Sequence, residues 1–315
     1  MPADKSPRFP AVPPGRPAWE AADGKPLPYT RWPTRDADVA KKPSCVFICV
    51  HGLSGAASDF WALGKYFGEK RDAVVYAMEL RGQGNDPDKR KQGDIRSASV
   101  WIDDLYSFTD QVKARHPGVP VFWYGESMGA LIALQALADS THRSAECPPI
   151  EGLILASPLT AIRQMPPAWK VVIVRTLMRV APCARISLES LGDRSVREQH
   201  VTSTTTHKEQ MEKTPHYVET FTFRLFREVE RLVRTSSQAG SAIGSPLLVF
   251  YTANDVFTSK EQVESFVENA GTADKVKVFF PDSYHLILHD KDRDRLLVQL
   301  EHWTHERGVK FRAAR

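Results

Sequence analysis

Apolar and polar positions follow two rhythms along this chain. Short apolar runs rich in β-branched residues predict strands: CVFICV at 45–50, DAVVYAMEL at 72–80, VPVFWYG at 119–125, GLILAS at 152–157, PLLVFYTA at 246–253 and KVKVFF at 275–280. Runs without polar interruption suit strands buried on both faces. Between them, apolar residues recur at helical spacing. Val100, Trp101, Leu105, Phe108 and Val112 mark a helix over 98–116, stopped by His116-Pro117-Gly118. Further helices are predicted over 128–140, 259–269 and 291–306. Strand–helix alternation of this kind builds a parallel sheet covered by helices on both faces, so the predicted fold class is α/β.

The alternation stops between 159 and 240, where the pattern is mostly helical. A stretch of about 80 residues is too long for a plain loop inside a compact domain. It is read as a helical cap over one end of the sheet. The predicted organisation is a Pro-rich arm over 1–18, an α/β core over 19–158 and 241–315, and the cap over 159–240.

Bulk composition narrows the class. The chain has 315 residues, 42% hydrophobic and 25% charged, enough to bury one large α/β core with an insertion. A formal charge of +4 with dispersed Lys and Arg argues against a nucleic-acid partner. Cys45 and Cys49 share one predicted strand, and positions four apart on a strand lie roughly 13 Å apart, beyond disulfide reach. No cysteine or histidine spacing fits a zinc site, so no metal is expected. The N-terminus carries prolines where a signal peptide needs an apolar core, and no run approaches the ~18 apolar residues of a membrane span. The expected location is cytoplasmic.

The chemistry concentrates where a buried strand meets a helix, at Gly125-Glu126-Ser127-Met128-Gly129. A serine hydroxyl is a poor nucleophile unless it is held out of the chain and given a base. A sharp strand-to-helix turn forces the serine into strained backbone angles, and flanking glycines remove the Cβ atoms that would clash there. The helix that follows points free N–H groups at the site, which makes the N–H of Met128 a candidate oxyanion donor. An acid and a histidine should follow in that order, each just past a strand. Asp255 follows PLLVFYTA and His285 follows KVKVFF. Asp255 would orient the imidazole, and His285 would accept the proton of Ser127. Asp282 is read as a turn residue, His289 and Asp290 as residues leading into the last helix. His51, His207 and His216 lack the setting of a base. The loop after CVFICV, starting His51-Gly52-Leu53, supplies a second oxyanion donor in the N–H of Leu53. His51, Gly52, Glu126 and His216 complete the candidate substrate-binding set.

His51-Gly52, Arg81-Gly82-Gln83-Gly84, the Ser127 turn, Asn254-Asp255 and Tyr284-His285 together resemble the α/β-hydrolase superfamily, and within it the monoacylglycerol lipase and lysophospholipase group, sometimes filed with serine aminopeptidases. The similarity covers roughly residues 20–307. It implies a mostly parallel eight-stranded sheet, a cap inserted after the sixth strand, no cofactor, and the triad Ser127, Asp255 and His285. Two positions depart from the group's pattern. Glu126 stands where a histidine is common, and Gly82-Gln83-Gly84-Asn85-Asp86 replaces Gly-His-Gly-x-Ser. Both alter polarity near the site without removing a catalytic part.

Two cap segments bear on substrate. WKVVIVRTLMRVA at 169–181 is apolar with Lys170, Arg175 and Arg179 interspersed. It either packs on the body and lines the pocket or meets a membrane surface peripherally. The segment at 217–233 carries Phe221, Phe223, Leu225, Phe226, Val229 and Leu232, a core stripe with a few acyl-channel candidates. The leading expectation is a serine carboxylic-ester hydrolase acting on a small-molecule ester or lipid with an apolar acyl part. An aminopeptidase or amidase of the same fold, needing an acidic pocket for a free amine, and a non-catalytic binding protein are the competing readings.

Overall fold

The computed structural model describes residues 16–34, 42–70, 73–139, 150–187, 190 and 199–313. All but the last three residues of the expected arm, Cys147, and the cap positions 188–189 and 191–198 lie outside the described residues.

Eight strands form one sheet. In chain order these are β1 (Ala18–Glu20), β2 (Pro26–Trp32), β3 (Cys45–Val50), β4 (Ala73–Met78), β5 (Val121–Glu126), β6 (Gly152–Ala156), β11 (Leu247–Asn254) and β12 (Lys275–Tyr284). Four further short strands, β7 to β10, belong to the insertion described below. The spatial order is β1-β2-β4-β3-β5-β6-β11-β12. β2 runs antiparallel to both β1 and β4, and every other pairing is parallel. Every residue of β3, β4, β5 and β6 is buried, which is why their sequences read as continuous apolar runs.

Side chains alternate across the sheet, so each strand feeds two cores. Val46, Ile48 and Val50 face α2 (Ser99–Arg115) and α3 (Met128–Ala138), joined there by Val263 and Phe266 of α7 (Lys260–Glu268). Phe47 and Cys49 face α1 (Trp61–Lys70) and α8 (Arg293–Ala313), with Phe67, Leu296, Leu300 and Trp303. Gly152 lets Trp303 press on the sheet, since a Cβ there would lie 2.4 Å from the indole.

The β6–β11 connection holds the insertion. It contains α4 (Ala168–Val180), β7 (Arg185–Ser187), β8 (His200–Thr202), β9 (Thr205–Thr206), α5 (His207–Glu212), β10 (Thr220–Thr222) and α6 (Phe223–Ala242). Besides the helices expected from sequence, it carries two short antiparallel ribbons, β7 with β10 and β8 with β9. Strands of two or three residues are too short for a period to register. The first ribbon starts α6, whose Thr222 caps the helix by accepting from Leu225 N. The second half of α6 leaves the cap and packs on the core. Gln135 of α3 donates to Thr235 Oγ1 at 2.7 Å, and Phe266 of α7 lies against Gly240.

Of the two readings of 169–181, burial of the whole apolar segment against the body does not hold: one face of α4 meets α6, where Arg175 pairs with Glu230, and the other is open. Only Met178 of α4 is buried, while Trp169, Val172, Ile173 and Val180 are exposed. No helix among the described residues is long and apolar enough to cross a membrane.

Candidate active site

Parallel strands bring their carboxyl ends to one edge. Register holds these ends level: Val50 pairs with Gly125, Glu126 with Ala156, and Asn254 with Tyr284. The residues that follow, His51, Ser127, Ser157, Asp255 and His285, therefore emerge along a single rim, the usual place for ligand sites of open α/β sheets.

Ser127 sits at φ 54°, ψ −117°, a left-handed conformation that costs a non-glycine residue about 1–3 kcal/mol. The surroundings hold it there. Its N–H donates to Ala156 O at 3.0 Å, and its carbonyl accepts from Ala130 N at 3.1 Å. Gly129 is obligatory by contact, because a Cβ there would lie 2.1 Å from Val50 O. Met128 is the first residue of α3, so its N–H has no carbonyl partner within the helix and points toward the turn.

Asp255 and His285, thirty residues apart in sequence, meet at 2.8 Å between Oδ2 and Nδ1. The other carboxylate oxygen of Asp255 accepts from Phe257 N at 2.8 Å and Thr258 N at 3.2 Å, which fixes its orientation. Arg163 donates to the backbone carbonyl of Asp255 and braces the same loop from the strand-β6 side. The Phe257 ring abuts the imidazole edge-on at 4.6 Å. Burial alone would lower the His285 pKa, but the charge and hydrogen bond of Asp255 outweigh it, with Glu126 adding, and the net shift is upward. An imidazole with Nδ1–H given to a carboxylate leaves Nε2 as a base. Asp282 is exposed, whereas Asp290 ties down the His285 loop by accepting from Tyr284 N at 2.8 Å and from Ser203 N of the cap at 3.0 Å.

Ser127 and His285 line one cavity of about 320 Å³. Gly52, Leu53, Glu126 and Met128 form its floor, and Val201, Met211, His216 and Val229 of the insertion form its roof. The roof is largely apolar. Gly52 brings backbone against the nucleophile, since a Cβ there would lie 3.1 Å from Ser127 Cβ.

Two polar residues at this wall were not singled out as site residues from sequence. Asp59 lies in the turn before α1, and its Oδ1 stands 3.2 Å from His216 Nε2. Burial pushes the Asp59 carboxyl up, but His216 and the Ala56 N–H outweigh this and hold it below its ordinary value. His289, expected only to lead into the last helix, is buried and lines the same cavity. Asp59 has no sequence signal, because the 156 residues between it and His216 are closed only by the cap.

His51 is corrected from a substrate contact to a framework residue. It is fully buried, its Nε2 accepts from Leu80 N at 3.1 Å, and its Nδ1 donates to Gly52 O at 2.9 Å. Both ring nitrogens are committed to backbone, and the ring does not line the cavity.

Glu126 does line the cavity. It is 4% exposed, and its Oε1 has no hydrogen-bond partner among the described residues. Burial pushes its carboxyl from 4.5 up to about 7. The folded protein thus binds this proton between those two values while the unfolded chain does not. The stabilisation is complete below about pH 4.5 and lost as pH rises through about 7, a swing of about 3 kcal/mol for a shift of this size. Glu126→Gln, which stays neutral, is expected to match the parent's thermal midpoint near pH 5 and exceed it near pH 8.5. Melts at the two pH values test this. A difference that does not grow with pH refutes the buried-carboxyl account.

A family model described as serine aminopeptidase, S33, matches residues 41–292. Phospholipase YtpA of Bacillus subtilis is 26% identical over 259 residues, covering 81% of this chain and 93% of its own. The monoglyceride lipase of Homo sapiens is 26% identical over 140 residues, 44% of either chain. A soluble variant of monoglyceride lipase from Saccharomyces cerevisiae, solved in complex with a substrate analog, superposes with a TM-score of 0.78 at 18% identity, covering 96% of this chain and 98% of that one. The last likeness supports the fold.

Proposed function

The chain belongs to the serine aminopeptidase S33 family, and on that footing we propose that it is a serine hydrolase of carboxylic esters with an apolar acyl part, monoacylglycerols and lysophospholipids among them. The observation that carries this reading is the 2.8 Å pair of His285 and Asp255 on the cavity that also holds Ser127. Ser127 Oγ attacks the ester carbonyl while His285 Nε2 takes its proton. Asp255 fixes the tautomer through its hydrogen bond to Nδ1 and stabilises the imidazolium. The N–H groups of Leu53 and Met128 receive the developing oxyanion. The tetrahedral intermediate collapses, His285 protonates the departing alcohol, and a water, activated by His285, releases the acid from the acyl-enzyme.

An aminopeptidase would need a free carboxylate for the substrate's ammonium. The two carboxyls on this wall serve poorly: Asp59 is paired with His216, and burial favours the neutral form of Glu126. The apolar roof, with Val201, Met211 and Val229, suits an acyl chain instead. Residues 159–240 act as the cap over that chain. Its helix α4 exposes Trp169 and Val172 at 62% and 64%, beside the cations Lys170 and Arg179, and we assign it to the surface of an anionic lipid layer.

One assay panel tests the proposal: p-nitrophenyl butyrate, long-chain monoacylglycerol and lysophospholipid in anionic vesicles, and aminoacyl anilides. Ester turnover is expected with little anilide turnover. The double variant Trp169→Ser, Val172→Ser is expected to lose rate on vesicles and keep it on the soluble ester. Anilides cleaved faster than esters would sink the ester assignment, and equal loss on both esters would sink the membrane role of α4.

A further inference from the structure

The main chain around His285 is held from two sides. As far as Ser283 the anchors belong to the α/β core. Asn254 Nδ2 donates to Pro281 O at 3.2 Å and to Ser283 O at 3.3 Å, and Ser283 Oγ donates to Asp292 Oδ2 at 2.6 Å. From Tyr284 onward the cap joins in. Leu286 N, directly after His285, donates to Val201 O of β8 at 2.9 Å. Tyr284 N, directly before it, donates to Asp290 Oδ2 at 2.8 Å. The other oxygen of Asp290 accepts from Ser203 N at 3.0 Å and from Ser203 Oγ. The rings of Tyr284 and His200 lie 5.8 Å apart. Residues 200–203 of the cap therefore reach the N–H groups of both neighbours of His285, one directly and one through Asp290.

The same stretch roofs the cavity. Val201 lines it, as do Gln210 and Met211 of α5. Thr202 Oγ1 and Thr205 Oγ1 are 2.9 Å apart, and Thr205 Oγ1 donates to Gln210 Oε1 at 2.6 Å, so roof and hairpin form one hydrogen-bonded unit. Two points aim an imidazole: its Nδ1 contact and the backbone that carries it. Asp255 supplies the first at 2.8 Å. With that contact alone the ring could still pivot about it, and Nε2 would lose its line to Ser127. A general base works only within hydrogen-bond reach of the proton it takes.

We propose that residues 200–203 of the cap position the general base: Val201 and Ser203 brace the main chain on either side of His285, so that the seated cap aligns the proton relay as well as covering the acyl chain. The proposal rests on the ester-hydrolase reading above. Ser203 and Asp290 are positioning residues. Neither lines the cavity, and both act through the backbone next to His285.

The full chain serves for the test, with p-nitrophenyl butyrate as substrate. Turnover is counted per Ser127 titrated to completion by a fluorophosphonate, so that unfolded molecules drop out. Asp290→Asn is the sharpest variant. Asp290 Oδ1 accepts from Ser203 N, Ser203 Oγ and Lys291 N, and Oδ2 accepts from Tyr284 N, so an amide must turn its NH₂ onto an N–H on one side or the other. A misplacement of about 1 Å costs about 10² in rate, and Asp290→Asn is expected to lose about that much kcat per site. KM should stay within about twofold, because the cavity lining is unchanged. Ser203→Ala keeps its backbone donor and should lose about fivefold in kcat. Ser203→Thr, which keeps a hydroxyl, should recover most of that. If Asp290→Asn fails to fold, the Ser203 pair decides. Parental kcat per site in Asp290→Asn, a loss confined to KM, or a Ser203→Thr no better than Ser203→Ala overturns the brace. A parent protein that hydrolyses no ester overturns the functional reading instead, and does so before any variant is made.

Discussion

Ser127→Ala is expected to lower ester turnover by about 10⁵–10⁶, the scale seen when the nucleophile of a serine triad is removed. KM should change little, because the cavity walls and both candidate oxyanion N–H groups survive the loss of one oxygen. Labelling by a fluorophosphonate probe should vanish. Stability is expected to hold, since alanine at φ 54° bears a backbone strain like that of serine and the bonds to Ala156 and Ala130 are main-chain. A variant that keeps parental turnover removes Ser127 from the mechanism altogether, whatever the fold.

Asp255→Asn should cost about 10⁴ in kcat, the size of the tautomer effect in serine triads. The physical reason lies in the hydrogen bonds already assigned. One oxygen of Asp255 is committed to the N–H groups of Phe257 and Thr258, so an asparagine keeps its oxygen there and turns its NH₂ toward His285. Nδ1 must then accept, the proton moves to Nε2, and the base faces Ser127 already protonated. The pH profile separates this from a folding defect. Asp255 is what drives the His285 pKa upward against burial. With that carboxylate gone, the acidic limb of kcat/KM is expected to move to lower pH even as the plateau collapses. A limb that stays in place at full rate would show that the pair does not govern the base.

The local consequences of backbone physics were readable before the fold was known. Ser127 could be picked out because three constraints coincide within five residues: a buried strand ends, a helix begins, and glycines stand where Val50 and Ala130 crowd the turn. Asp255 and His285 were legible as the first residues beyond two apolar runs, since a parallel sheet sends all such ends to one rim. The two antiparallel-paired strands β1 and β2 were harder. The proline-rich PLPYTRW of β2 alternates weakly, and its partner β1 is three residues long.

What needed the tertiary structure were relations with no sequence period. His51 and Glu126 looked alike from sequence, polar residues beside functional glycines and serines. Packing parts them: His51 spends both nitrogens on backbone behind the wall, while Glu126 faces the cavity with an oxygen unpartnered. Helix α4 shows the converse. Its apolar residues suit burial or lipid equally well, and only the folded cap reveals that nothing in the described chain covers Trp169 and Val172.

By itself, then, the order of residues determined the six long apolar strands, several of the helices between them and the strained serine, because those follow from backbone sterics and short-range periodicity. Which distant side chains share a wall, Asp59 with His216 or Arg16 with Glu79, was decided only when the sheet closed its loops and the cap came down. Such pairs hold because their attraction at one low-dielectric point in space offsets the cost of desolvating them, and no pattern along the polymer encodes that point.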